Sequence, residues 1–294
     1  MRDCFYSNCN PEFIIKRSKE VDILFYFFVF ILGLSFGSFY TLATYRIPLN
    51  KDITHERSFC PHCNHKLQAL DLIPVLSYVF LGGKCRYCKK PIGNRYIMIE
   101  ILSGIIFVLF AMSIKFNAYN LAFGGNQVNL VVSFIFAVLY ITTVFILGGI
   151  DYERGIIDNR VLLFGIIVNS VYTIYLNTFL NQNVIPYLIY LGLFIVLLFI
   201  NTLYIRKHTK NNYILQVLMM ILYMLSYTYE GVTILTIIFT LLIVAFRLLL
   251  AKVFAKKKVV KNKKQEKLPF GLYLAVSNII VFIATNMVYT YYLI

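Results

Sequence analysis

The sequence predicts an all-α polytopic membrane protein, with about eight transmembrane helices and a cytoplasmic zinc-binding loop inserted after the first. Three observations carry this. Of 294 residues, 60% are hydrophobic and only 14% charged, more apolar than an ordinary soluble domain. Apolar stretches of membrane length recur along the whole chain. The polar segment between the first two holds two Cys-x-x-Cys pairs, the spacing of a metal loop.

Each apolar stretch reads as a helix, because a segment in lipid must satisfy its own backbone hydrogen bonds. The expected spans are 23–44, 97–114, 128–150, 161–180, 184–205, 214–229, 231–251 and 270–293. The sixth is short, and Gly231 beside Glu230 marks the turn into the seventh. The chain has no Trp, so any interfacial aromatic belt must be built from Tyr. No cleavable signal peptide is evident: the first apolar run follows a polar tail and leads straight into a motif-bearing segment. No internal repeat is obvious.

Charge sets the orientation. In a soluble protein a net charge of +15 would point to nucleic acid, but in a membrane protein Lys and Arg gather in cytoplasmic loops. With the N-terminus outside, segments 45–96, 151–160, 206–213 and 247–269 face inward and hold 23 of the 28 Lys and Arg residues. That orientation also puts the paired cysteines in the compartment that keeps thiols reduced. The run Lys256–Lys267 reads as a solvated loop attracted to anionic lipid, with the bilayer as partner and no nucleic acid. Cys4 and Cys9 fall in the external tail, as a disulfide or as free thiols.

Cys60, Cys63, Cys85 and Cys88 supply four thiolates in paired spacing, which fits one tetrahedral Zn²⁺. A redox dithiol would need only one pair within a thioredoxin-like unit, and inert buried cysteines would not need the duplicated spacing. His62 and His65 read as surface residues beside a complete ligand set. A closed four-thiolate site is structural: it folds a loop too small to build its own core. The flanks add Gly37-Ser38-Phe39, Arg46-Ile47-Pro48, Asp71-Leu72-Ile73-Pro74, Arg95-Tyr96 and Glu100. Glu100 is either a carboxylate favoured by the helix dipole or a functional charge at the membrane boundary.

From Gly33 through Glu100 these motifs, in this order, resemble the N-terminal part of bacterial type IV prepilin peptidases. Further on, an Asp at the end of a span and Leu268-Pro269-Phe270-Gly271 at the start of the last one are similar to the same family. The resemblance implies a prepilin leader peptidase and N-methyltransferase of the bacterial cytoplasmic membrane. It would act on prepilin or pseudopilin precursors by aspartic endopeptidase chemistry and take S-adenosylmethionine as methyl donor. It also implies three regions: an external tail at 1–22, a methyltransferase-associated region at 23–115, and a membrane-embedded peptidase-like domain at 116–294. No Gly-rich nucleotide loop is present to locate the S-adenosylmethionine site.

An aspartic peptidase needs two carboxylates that share a proton. The resemblance assigns the first to Asp151, in Gly148-Gly149-Ile150-Asp151-Tyr152-Glu153. The family's second acid belongs to a Gly-x-Gly-Asp motif, and the equivalent corner here, 206–213, has neither Gly nor Asp. Asn212 or Tyr213 stands in its place. Asp158 reads as a cap for the following span. Three explanations stay open. The chain has lost proteolysis and kept methylation or an assembly role; or Glu153, Asp158 or Glu266 serves as an unusual second acid; or another subunit completes the dyad. On chemistry alone, a lone carboxylate points to loss of efficient proteolysis.

Overall fold

A computed structural model of the chain describes residues 11–208, 212–255 and 268–292. Cys4, Cys9, Glu266, the run 256–267 and residues 209–211 of the corner lie outside the described residues. In chain order the helices are α1 (Pro11–Arg46), α2 (Leu76–Phe80), α3 (Arg95–Ser113), α4 (Ala118–Phe123), α5 (Gln127–Arg154), α6 (Asn159–Leu180), α7 (Ile185–His208), α8 (Tyr213–Leu225), α9 (Glu230–Ala255) and α10 (Phe270–Tyr292). Among the described residues there is no strand, only two isolated β-bridges.

Among the described residues, seven helices are long and apolar enough to cross a membrane: α1, α3, α5, α6, α7, α9 and α10. The chain is thus a multi-pass membrane protein. The sixth apolar stretch forms α8, whose 13 residues reach only about 20 Å against a hydrocarbon core of about 30 Å. Local chemistry shortens it. The Asn212 side chain accepts the Ile214 and Leu215 N–H groups at its start, and turns at Tyr227 and Thr228 fold back onto Met224. Ile195 and Phe199 on α7, and Leu241 and Leu242 on α9, are more than half exposed, as befits helices whose solvent is lipid.

The chain divides into two compact units. The first holds residues up to Phe39, His55–Ile135 and the chain from Asn286. Here α1 and α3 cross at small residues. A Cβ on Gly33 would lie 2.7 Å from the Gly104 Cα, and one on Gly37 2.6 Å from the Glu100 Cα. With no room for side chains, the two backbones approach closely, which gives dispersion contact where lipid offers no hydrophobic drive. Phe36 packs on Phe107, and Phe116 stacks on Phe134 at 4.1 Å.

The second unit holds Tyr40–Thr54 and Phe136–Thr285. Its centre is polar and much of it is hydrogen-bonded, although the Asn201 amide and the Ser277 hydroxyl are buried without a partner among the described residues. The fully buried Tyr140 donates to the Asn278 Oδ1 at 2.8 Å and stacks on Tyr227 at 4.2 Å. Asn169 donates to the Ser226 hydroxyl at 2.8 Å, and Tyr40 pairs with Thr142 at 2.9 Å. Polar side chains in an apolar solvent find partners inside the bundle. Gly148 and Gly149 let this unit close around α5. A Cβ on the first would strike Ala275 at 2.7 Å, and one on the second would strike Thr44.

Candidate functional site

Within the first unit the loop between α1 and α3 is built from two copies of one turn. The Cys60 N–H donates to the His65 carbonyl and the Asn64 N–H to the Cys60 carbonyl; the Cys85 N–H donates to the Lys90 carbonyl and the Lys89 N–H to the Cys85 carbonyl. Asn64 and Lys89 both adopt left-handed backbone, with φ of 55° and 57°. A β-bridge closes each copy, Phe59 with Lys66 and Lys84 with Pro91. The two turns aim four sulfurs at one point. All four Sγ atoms lie within 4.8 Å of one another, and those of Cys60 and Cys88 are 3.9 Å apart. Zinc–sulfur bonds of about 2.3 Å in a tetrahedron demand sulfur–sulfur edges of about 3.8 Å. These four cysteines can therefore hold a metal ion.

The chemistry of the set agrees. Burial alone would raise the Cys60 thiol, but the N–H groups of His62 and Cys63 outweigh it and bring it down to about 7. At Cys63 the His65 N–H favours the thiolate, yet desolvation and the neighbouring Cys60 and Cys88 sulfurs prevail and push it up to about 11. Crowded sulfurs resist sharing negative charge, and a divalent cation removes that repulsion. His62 and His65 are exposed. The His65 ring packs on Tyr87 at 3.6 Å, joining the two turns.

Two carboxylates brace the loop. The Asp71 side chain, 3% exposed, accepts the Arg86 Nε at 2.6 Å, the Gln68 N–H at 3.1 Å and the Tyr87 hydroxyl at 3.3 Å. Burial would raise its pKa, but the Gln68 N–H and the Arg86 guanidinium overcome this and hold it below the usual carboxylate range. Glu100, in the second turn of α3, accepts the Val75 N–H at 2.7 Å and also bonds Ser38. Val75 has φ 61° and ψ −50°, a conformation a β-branched residue rarely adopts. The carboxylate thus fastens a strained turn of the loop to a membrane helix.

In the second unit, Asp151 lies in the last turn of α5. Gly155, with φ 64°, ends that helix by donating to the Asp151 carbonyl at 2.8 Å. The Asp151 side chain is 1% exposed. Its Oδ2 accepts the Leu272 N–H, from the first turn of α10, at 3.1 Å. The Tyr213 hydroxyl, from the start of α8, lies 3.0 Å from both carboxylate oxygens and accepts the Gly271 N–H at 3.2 Å. Gly271 is required by space, since a Cβ there would lie 2.9 Å from the Asp151 Oδ2. Of the two residues that stand in place of the missing acid, Tyr213 faces Asp151, whereas Asn212 caps α8.

The other acids lie elsewhere in the unit. Asp158 caps α6 through the Arg160 N–H and forms an ion pair with the Arg160 guanidinium at 2.7 Å. Arg160 also reaches Asn50 and the Ile47 carbonyl. Glu153, two residues beyond Asp151 on α5, is half-buried, and neither acid is hydrogen-bonded to Asp151. The sequence marks the positions of Tyr213 and Gly271 through the family resemblance but not their contacts with Asp151. For the first, the signal is its place at the corner 206–213, where Asn212 or Tyr213 stands in for the missing acid.

Residues 31–114 match the family model described as Bacterial Peptidase A24 N-terminal domain. Several relatives are named prepilin leader peptidase/N-methyltransferase, among them these three. That of Myxococcus xanthus is 44% identical over 84 residues, 29% of this chain and 25% of its own length. That of Bacillus subtilis is 34% identical over 136 residues, 46% of this chain and 49% of its own. That of Dichelobacter nodosus is 30% identical over 202 residues, 58% of this chain and 65% of its own. The chain thus spans half or less of the length of the first curated relatives it matches. No solved structure matches. The chain resembles the type IV prepilin peptidases, most closely through the segment that carries the four cysteines.

Proposed function

We propose that this protein is a prepilin leader peptidase/N-methyltransferase acting on type IV pilin-like precursors at the cytoplasmic face of a bacterial inner membrane. The observation that carries this reading is the convergence of four cysteine sulfurs within the segment that matches the A24 N-terminal domain. In this reading the N-terminus is outside, and the cysteine loop and the α5 end of the second unit face the cytoplasm, as the distribution of Lys and Arg supports. Residues 1–22 form the external tail, 23–115 the methyltransferase-associated region and 116–294 the peptidase-like membrane domain.

Cys60, Cys63, Cys85 and Cys88 would hold Zn²⁺, which supplies folding energy rather than an open coordination site. Asp151 is the base of the peptidase half. Its buried place at a helix end, oriented by two other helices, supports that role. S-adenosylmethionine supplies the methyl group when bound. The test is reconstitution in lipid with a prepilin, read by mass spectrometry of the substrate N-terminus. A shortened and methylated product supports the reading. An intact leader, together with no methylation of pre-cleaved pilin, refutes it.

A further inference from the structure

We propose that Tyr213 is the catalytic partner of Asp151, so that a carboxylate and a phenol do the work of two carboxylates. The inference rests on the peptidase reading above and adds to it a residue and a division of labour. Among the described residues, no second carboxylate is hydrogen-bonded to Asp151, and the position facing it is filled by the Tyr213 hydroxyl, 3.0 Å from each oxygen. Two carboxylates work as a pair because they share one proton, and neither keeps it by its own chemistry. A phenol, which ordinarily ionises near pH 10 against about 4 for a carboxylate, keeps its proton at neutral pH. The pair is therefore held in the singly protonated form, with Asp151 as the base.

The geometry also assigns an order of events. Asp151 takes a proton from water as the water oxygen bonds to the scissile carbonyl carbon. Once protonated, the carboxyl no longer needs the phenol's hydrogen, and the Tyr213 O–H turns to the carbonyl oxygen, which now carries the negative charge. When the tetrahedral adduct collapses, the C–N bond breaks, and the proton held on Asp151 passes to the leaving amine. The sum is one water and one peptide bond giving a carboxylic acid and an amine. A single carboxylate thus serves as base and then as acid, in sequence. The surroundings fit this division. The Leu272 N–H holds Oδ2 and the Gly271 N–H holds the phenol oxygen. Asp151 is buried, whereas Tyr213 is only half-buried, which makes the phenol the outward member of the pair.

The experiment compares wild type, Tyr213→Phe, Tyr213→Asp and Asp151→Asn, each purified in lipid with a synthetic prepilin, with thermal unfolding measured in parallel. The expected result is cleavage by wild type, abolished in Asp151→Asn, and slowed about a hundredfold or more in a folded Tyr213→Phe. Tyr213→Asp, which restores a two-carboxylate pair, should cleave faster than Tyr213→Phe. Wild-type speed in Tyr213→Phe overturns the proposal. So does an inert wild type beside an active Tyr213→Asp, which would make the phenol a lock on Asp151. If no form cleaves, the proposal falls as well, and methylation of pre-cleaved pilin then decides whether the wider reading survives.

Discussion

The cysteine loop and the Asp151 site are assembled in opposite ways. The loop brings its four sulfurs together with two short turns of the same design, each fixing two ligands through backbone bonds that span six residues. The Asp151 site takes its parts from α5, α8 and α10, at positions 151, 213, 271 and 272. In the loop, the ligand types and their spacing already state the chemistry. At Asp151 the chemistry exists only once three helices are packed, and its second member is a residue type that no sequence motif advertises. A local site is legible from spacing; a site made by packing is legible only from the fold.

The largest effect should come from breaking the loop's ligand set. Cys60→Ser is expected to reduce bound zinc from about one ion per chain to nearly none. Hydrogen exchange across 55–94 should rise at the same time, and full metal content in the variant would remove the four-cysteine site from the account. Next comes Glu100→Ala, which leaves the strained Val75 N–H without its acceptor and should cost about 2–3 kcal/mol. Its signature is faster exchange at 73–81 with zinc retained, which separates bracing of the loop from metal binding.

On the other side of the comparison, Gly271→Ala forces a Cβ toward the Asp151 Oδ2. It should lower stability by about 1–3 kcal/mol, read as a drop in the thermal midpoint. An unchanged midpoint would mean that α10 and Asp151 are less tightly fitted than the distances indicate. The smallest effect is expected for Asp71→Asn, about 1 kcal/mol, because Arg86 is half exposed and screened by solvent. The carboxyl of Asp71 is held below its ordinary range. Its contribution is therefore complete above about pH 4 and fades as the pH falls through the lowered value. Loop stability measured against pH, with zinc content followed in parallel, should lose this acid-side decline in the Asn variant.

Much of the fold is readable without coordinates, because lipid imposes one solution on each long apolar run. Eight runs give eight helices, and the sixth is short because Asn212 caps it and the chain turns after Leu225. The cysteines are equally plain from spacing. What the sequence hides is what depends on close approach: the Gly33 and Gly37 crossing with Glu100 and Gly104, and the strained Val75 that Glu100 holds. The choice between Asn212 and Tyr213 is hidden for the same reason. A tyrosine at the start of an apolar stretch reads as an interfacial aromatic, and only the approach of α8 to the end of α5 gives its hydroxyl a carboxylate.

The central claim is that the membrane-embedded unit hydrolyses prepilin through Asp151 while the cysteine loop serves as a metal-held support. The most direct measurement is the N-terminal mass of a prepilin incubated with the purified chain in lipid, beside the Asp151→Asn variant. The account predicts loss of the leader with the wild type and an intact precursor with the variant. Leader removal by both proteins, or by neither, would contradict it.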